Sequence, residues 1–438
     1  MPVKTNHGAA AKLRRAALAA AGLALALGLA ACGGGGGGNG PGSKQLGLVI
    51  GNSLPLSGTS TALGESGRKA SDLAVGEIRQ AIETAGADHT VRTVSEDEGP
   101  DSESATASAK KLIDNEGASC LTGPWSADAV VQTANDVVIP DKALEISPVP
   151  AGPDVAVLSD QDLVNSTALP ESVEGSALTD AIDRDLGGAQ GHSVNVAAAS
   201  DSYADSLSQD FIKDWQDQDG TLGGQTTLAP PYTDQAEQIT AGGPDAILLV
   251  DGLDGFSQLA PSLSSSSGWD PIMAWGSDQL VSPGLPARVG PAVIDGMRAL
   301  APGAPSGEAA SAAFASAFRS AGPRDVAPAP FAAQEFDATV LCYLAAVAAG
   351  STDGQEMADH LIDITAPGGE VFTWQQLPGA IKALEDGKDI DYTGASGPID
   401  MDVHGDPTAG VFDVYWYSGN GLEVAGEVPV EKPNPATP

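Results

Sequence analysis

The chain has 438 residues, 42% of them hydrophobic, and carries 21 lysines and arginines against 58 aspartates and glutamates, a formal net charge of −37. This length and apolar content exclude wholesale disorder and favour a globular protein of two lobes. A surface this acidic, with no basic stripe, argues against nucleic acid as a partner. A solvated acidic surface explains the excess of acidic residues better than a specific cationic partner does.

The N-terminus has the features of a signal peptide over residues 1–31. Basic residues without any acid precede a 16-residue apolar run, 16–31, which is shorter than the roughly 20 residues that span a bilayer as a helix. The run ends in Leu29-Ala30-Ala31-Cys32, which resembles a bacterial lipobox. That resemblance implies cleavage before Cys32, diacylation of its sulfur, and an extracytoplasmic protein held by lipid on the outer face of the cytoplasmic membrane. A chance cysteine behind a different cleavage site is the alternative.

Glycine dominates the residues that follow, so 32–43 is predicted to be a flexible tether on the lipid anchor. The mature chain then retains Cys120 and Cys342, whose spacing does not show whether they form a disulfide. Two separate buried cysteines are the favoured interpretation.

The body alternates strand and helix in two series. The first has predicted strands at 46–50, 91–94, 118–121 and 143–146, and helices at 65–82, 102–114 and 127–138. After an irregular stretch, 147–168, the second has helices at 171–186, 203–218, 233–240 and 255–264, and strands at 193–199, 221–228, 245–250 and 272–275. Such alternation predicts an α/β fold of two doubly wound parallel-sheet lobes, with a ligand cleft at the carboxyl ends of the strands.

The remaining elements do not form a third series and are assigned back to the two lobes. They are predicted helices near 309–320, 330–349 and 374–386 and strands near 398–403 and 411–417. Residues 427–438 are predicted to be a disordered tail.

Catalysis has little support in the sequence. The mature chain keeps His89, His192, His360 and His404, and none has the spacing of a zinc site. Nucleophile-elbow and phosphate-loop motifs do not occur, and no dinucleotide-binding motif follows the first strand. We therefore predict no catalytic residue, metal or cofactor, and a binding protein instead of an enzyme.

Several motifs together resemble the leucine/isoleucine/valine-binding family of ABC-transporter substrate-binding lipoproteins. They occur in consistent order over about residues 44 to 420: Leu54-Pro55-Leu56-Ser57-Gly58 with Gly64, 118–126, Glu145-Ile146-Ser147-Pro148, Asp201-Ser202-Tyr203-Ala204, Trp275-Gly276-Ser277-Asp278, Phe336-Asp337-Ala338 and 394–406. The resemblance implies a type I periplasmic-binding fold with a three-crossing hinge. It also implies a small-molecule ligand, an ABC permease and ATPase as partners, and a monomer. We place lobe one at 44–167 plus 296–390 and lobe two at 168–295 plus 391–426.

Carried over residue by residue, the resemblance gives ligand-binding candidates with an open structural alternative for each. Asp278 matches the acid that pairs with a ligand ammonium, although it could be a solvated loop residue. Ser126 could bind a ligand carboxylate or simply cap a helix. Tyr203 matches a cleft aromatic of lobe two, and its alternative is a core residue at a helix start. Trp125 could form an apolar or cation–π wall for the ligand or simply pack, and Phe336 could equally be core.

One departure from the family concerns the segment after Ser147-Pro148. Amino-acid binders usually place a threonine there that contacts the ligand, whereas this chain has Val149, Pro150 and Ala151. Val149 and Ala151 are kept as candidate ligand contacts, but a hydroxyl is missing and proline removes a backbone donor. The ligand is therefore an amino acid or another small polar solute, such as an amide or a peptide-like compound.

Three functions fit the sequence to different degrees. The favoured one is the solute-binding lipoprotein of an ABC importer, which delivers an amino acid or similar solute to a permease. A sensor lipoprotein of the same fold with a signalling partner is the alternative. A lipid-anchored surface hydrolase is the least favoured.

Overall fold

The computed structural model describes residues 45–150, 152–324, 326, 328–419 and 421–431. The predicted signal peptide, Cys32 and the tether lie outside the described residues, as do Ala151 and residues 432–438. Within the described part of the chain, no helix is both long enough and apolar enough to cross a membrane.

The first series of elements forms a parallel five-stranded sheet. Its strands are Leu46–Leu54 (β1), His89–Asp97 (β2), Cys120–Thr122 (β3), Leu144–Ser147 (β4) and Val164–Ser166 (β5), in the order β2-β1-β3-β4-β5. Its helices are Thr61–Ala85 (α1), Ser102–Glu116 (α2), Ala127–Thr133 (α3) and Ile139–Asp141 (α4), with a π-helical stretch at Ala134–Val138. The predicted alternation is confirmed. Strand β5 lies inside the stretch that was predicted to be irregular.

The second series forms another parallel sheet, as predicted. Its helices are Glu174–Leu186 (α5), Ser202–Asp217 (α6), Gln235–Ile239 (α7), Leu253–Ser265 (α8), Leu285–Val289 (α9) and Pro291–Ile294 (α10). Its strands are Ser193–Ala198 (β6), Thr221–Thr227 (β7), Ala246–Val250 (β8), Ala274–Gly276 (β9) and Arg298–Pro302 (β10). Strand β10 was expected in lobe one but pairs with β9, because its short apolar run is buried beside that strand.

The chain then returns to the first sheet. Helices Ala309–Ser320 (α11), Ala332–Ala349 (α12), Gly354–Leu361 (α13) and Leu377–Glu385 (α14) add to its core, with a short parallel pair Glu370–Thr373 (β11) and Ile390–Thr393 (β12). Cys120 and Cys342 form a disulfide that joins β3 to α12, with Cα atoms 5.9 Å apart. The favoured interpretation of two separate cysteines is therefore wrong, because the helix packs directly on the strand.

Two antiparallel strands, Ala409–Ser418 (β13) and Gly421–Glu431 (β14), complete the second sheet, whose order is β14-β13-β10-β9-β8-β6-β7. Residues 427–431 are therefore strand, not disordered tail, and Val428 is buried in the second lobe. Residues 391–401 were expected in lobe two, yet Tyr392, Ile399 and Met401 pack in the first-lobe core. The predicted strand 398–403 is reduced to isolated bridges.

Two lobes are thus defined by their sheets and cores. The first lobe contains β1–β5, α1–α4, α11–α14 and one continuous core. The second contains β6–β10, β13, β14 and α5–α10, with core clusters on both faces of its sheet. The chain passes between them three times, at about 167–173, 303–308 and 402–408. Sheets joined in this way leave a cleft at the carboxyl ends of their strands.

Candidate functional site

A cavity of about 420 Å³ lies between the two lobes, a size that suits a small organic solute. Most of its first-lobe wall is apolar or hydroxylic, and the members of that wall are Thr59, Ser60, Leu63, Trp125, Ser126, Ala127, Asp128, Val149, Pro150 and Phe331. The second-lobe wall is acidic, and its members are Glu171, Asp201, Tyr203, Gly252, Leu253, Asp254, Gly255, Asp278 and Gln279. We call this cavity the cleft.

Five of the predicted site residues line the cleft together: Trp125, Ser126, Val149, Tyr203 and Asp278. They come from both lobes and from segments up to about 150 residues apart in the chain. The fold therefore brings these five candidates to one place, while their contact with a ligand stays a prediction.

Phe336 is not in the cleft. It is 0% exposed and lies in the first-lobe core, with its ring centroid 5.2 Å from those of Phe314 and Trp374. The prediction that Phe336 contacts ligand is therefore corrected to the core alternative. Phe331, just before α12, faces the cleft instead, with φ of 67°. Ala151 falls outside the described residues.

Trp125 is held firmly at the end of β3. Its backbone N–H donates to Glu98 Oε2 at 2.9 Å, and its ring makes an edge-to-face contact with Phe331 at 6.0 Å between centroids. A Cβ atom placed on Gly67 of α1 would lie 2.3 Å from Trp125 Cζ2, so only glycine leaves room for the indole. Burial raises the pKa of Glu98 to about 8, although the hydrogen bond from Trp125 opposes the rise.

Ser126 follows as the N-cap of α3. Its Oγ accepts a hydrogen bond from the backbone N–H of Ala129 at 3.3 Å, which satisfies one of the free donors at the helix start. The capping alternative is thus present in the structure, and the side chain still lines the cleft.

Three buried groups form a hydrogen-bonded network on the second-lobe wall. The Tyr203 hydroxyl lies 2.7 Å from Asp278 Oδ1 and 3.1 Å from Glu174 Oε2, and the Asp278 backbone N–H donates to Glu174 Oε1 at 2.9 Å. Burial raises the pKa of Asp278 to about 6 and, together with the charge of Asp278, holds the pKa of Glu174 well above its ordinary value. Of the two carboxyl groups, Asp278 is therefore the one that ionises more readily.

Glu171 is another carboxyl group of this wall. It is only 7% exposed, and burial followed by the charge of Asp278 raises its pKa to about 8. Asp254 at the rim is paired with Arg288, whose Nη2 lies 2.7 Å from Asp254 Oδ1. None of the described residues lining the cleft is a lysine, arginine or histidine. The cleft is therefore electrostatically suited to a cation.

Sequence reasoning missed Glu171, Glu174 and Phe331. The two glutamates lie three residues apart at the start of the second lobe, a spacing that puts them on one helical face. That spacing could have marked them, but nothing in the sequence shows that the face is buried against the cleft.

Residues 47–411 match the family model described as periplasmic binding protein. The chain is 26% identical over 378 residues to the chemotactic signal transduction system substrate-binding protein BasB of Halobacterium salinarum, which spans 83% of this chain and 85% of that protein.

Solved structures share the fold. The leucine binding protein LivK from Thermotoga maritima has a TM-score of 0.67 at 18% identity, covering 88% of this chain and 99% of that one. LivJ from Streptococcus pneumoniae, solved with isoleucine, has a TM-score of 0.68 at 17% identity with the same coverage. An R. palustris solute binding protein, solved with benzoate, has a TM-score of 0.62 at 21% identity and covers 90% and 98%.

These matches confirm the predicted type I periplasmic-binding fold and the role of a binding protein instead of an enzyme. The family implies a location outside the cytoplasm. The chain belongs to the periplasmic binding protein family.

Proposed function

We propose that the chain is the solute-binding lipoprotein of an ABC importer. It traps a small solute that bears a cationic amine, an amino acid or a similar compound, between its closing lobes and delivers it to a membrane permease. The observation that carries this proposal is the buried Asp278 carboxyl, held by Tyr203 and Glu174 across the cleft from Trp125.

An ammonium group suits this arrangement for an electrostatic reason. The Tyr203 hydroxyl occupies Asp278 Oδ1, which leaves the carboxylate able to accept a charge-assisted hydrogen bond on its other side. Closure of the lobes about the three crossings excludes water and strengthens that bond. Trp125 on the opposite wall can pack against an apolar or cationic part of the solute.

The structural neighbours were solved with ligands as different as isoleucine and benzoate. An anion alone, such as a benzoate, is disfavoured here because the described lining has no basic side chain and several acids. The missing hydroxyl around Val149 and Pro150 argues against the usual amino-acid clamp in that part of the cleft. An amine that is bound mainly by the second-lobe wall is consistent with both the acidic lining and the missing hydroxyl.

Calorimetric titration of the purified protein with amino acids, amides and sugars tests the proposal. We expect an amine-bearing solute to bind, and Asp278→Ala to weaken it by about 2–3 kcal/mol, because a charged hydrogen bond is lost. Asp205→Asn is a matched control, since it removes an exposed carboxylate from the same lobe outside the cleft. Equal affinity in Asp278→Ala and the unaltered protein contradicts the assignment.

The lipid anchor is part of the same proposal and rests on the motif ending at Cys32. Detergent phase partition of the protein from its native membrane is the test. We expect the unaltered protein in the detergent phase and Cys32→Ala in the aqueous phase. Equal partition of both contradicts lipidation at Cys32.

A sensor role is the second candidate, favoured by the similarity to BasB, a protein named for chemotactic signal transduction. The two roles differ in the partner of the closed form. Deleting the gene should abolish uptake of the bound solute if the importer proposal holds. Normal uptake together with a lost behavioural response to the solute favours the sensor instead.

A further inference from the structure

The carboxyl group of Glu171 lies in the cleft without a side chain of opposite charge beside it. Glu171 is 7% exposed as a residue and lines the cleft, and its carboxyl oxygens have no hydrogen bond or ion pair with the other described residues. A carboxyl group without a partner is costly to bury, which calls for a group that the folded chain alone does not supply.

The missing partner is a cation, because every charged group that acts on Glu171 is an acid. These groups come from both lobes and from the elements around the cleft: Asp278, Asp128, Asp201, Asp154 and Glu174. None of the described residues that line the cleft is a lysine, arginine or histidine, and Arg288 is paired with Asp254 at the rim. Both the charge and the burial therefore point to a ligand nitrogen.

Glu171 is separate from the network that would hold the first ammonium group. Asp278 is joined to Tyr203 and Glu174 by hydrogen bonds, whereas Glu171 takes part in none of them. Its carboxyl faces the first lobe, since a Cβ atom placed on Gly152 would lie 3.2 Å from Glu171 Oε2.

We propose that the solute carries two cationic nitrogens, one held by Asp278 and the other by Glu171, as in a basic amino acid or a short diamine. This inference rests on the proposed function and specifies its ligand class. An organic cation is favoured over a metal ion, because no group of three or more metal-ligating side chains occurs in the described part of the chain.

Binding should also release a proton. Glu171 is mostly protonated at pH 7 in the free protein, because its pKa is raised to about 8. A cation that pairs with it favours the ionised form, so binding at pH 7 should release a proton from Glu171. Affinity should accordingly rise as the pH increases from 7 towards 9, as long as the second amine stays charged.

The test is titration calorimetry of the purified protein with L-lysine, putrescine and L-leucine at pH 7, in phosphate and in Tris. We expect lysine, putrescine or both to bind more tightly than leucine, with a binding enthalpy that depends on the buffer. Glu171→Gln should weaken the dication by about tenfold to a hundredfold, reduce proton release and affect leucine much less than the dication. Asp205→Asn should change neither affinity.

Other outcomes overturn the inference in distinguishable ways. Leucine binding that equals or exceeds that of both dications, with no effect of Glu171→Gln, refutes the second cation site but leaves the proposed function standing. Failure of every amine to bind refutes both the second cation site and the proposed amine ligand. Proton release is measured on the unaltered protein, so the inference remains testable even if Glu171→Gln does not fold.

Discussion

Replacing Glu145 by methionine should stabilise the protein. Glu145 lies on β4 between β3 and β5, is fully buried, and neither of its carboxyl oxygens has a hydrogen-bond partner among the described residues. Burial, followed by the nearby charge of Asp160, holds its pKa well above the ordinary value of 4.5. Methionine has a similar volume and no polar group to leave unpaired.

The gain in the free energy of unfolding from Glu145→Met has a constant part and a part that depends on pH. An unpaired buried carboxyl costs about 1–3 kcal/mol of the free energy of unfolding even when it is neutral. Because the folded-state pKa is raised, the folded state binds more protons than the unfolded state above pH 4.5. The free energy of unfolding is therefore least reduced by Glu145 below pH 4.5. As the pH rises it falls by about 1.4 kcal/mol per pH unit until the pKa of the folded state is reached.

Denaturant unfolding of the unaltered protein, Glu145→Met and Glu145→Gln between pH 4 and pH 8 measures both parts. We expect Glu145→Met to gain about 1–3 kcal/mol at the acid end and more at pH 8. Glu145→Gln should remove the part of the pH dependence that comes from Glu145 while keeping an unpaired polar group. A loss of stability in Glu145→Met, or a difference that does not change with pH, would refute the reasoning, because it would mean that the carboxylate is paired in the folded state.

Three further predictions concern the disulfide, the cleft wall and the core. Changing Cys120 and Cys342 to alanine should cost about 2–5 kcal/mol of unfolding free energy, since the bond closes a long loop, and an equal melting temperature with and without reductant contradicts this. Gly67→Ala should displace the indole of Trp125 into the cleft and weaken solute binding about tenfold, as measured by calorimetric titration. Unchanged affinity would mean that the indole does not contact the solute. Phe336→Ala should cost about 3–5 kcal/mol by leaving a cavity, yet leave the affinity of the refolded protein unchanged; a selective loss of affinity would restore it as a ligand contact.

Hydrophobic periodicity predicted the alternating elements of both lobes because each strand and helix buries one local face. It did not predict β10, whose apolar run is short, or β14, where alternation runs through Pro429 near the chain end. Missing β10 displaced the predicted lobe boundary at 296–302. The boundary at 391–401 was displaced because Tyr392, Ile399 and Met401 pack in the first-lobe core.

The cleft was predictable where a residue sits at the carboxyl end of a strand, as Trp125 and Ser126 do after β3 and Asp278 does after β9. Phe336 was misplaced because α12 is buried on nearly all sides, so its sequence does not show which aromatic faces the cleft. Glu171 could not be recognised, since its significance comes from burial against residues distant in sequence.

The central claim is that the lobes trap an amine-bearing solute on Asp278, and thermal unfolding of the purified protein tests it most directly. The protein is melted with and without amino acids, amides, short peptides, polyamines and sugars at millimolar concentration. A solute at 100 times its Kd adds about 2.7 kcal/mol to the free energy of unfolding and so raises the melting temperature. We expect this rise with an amine-bearing solute, and we expect it to be lost in Asp278→Ala. A shift only from solutes without an amine, or one that persists in Asp278→Ala, would contradict the account.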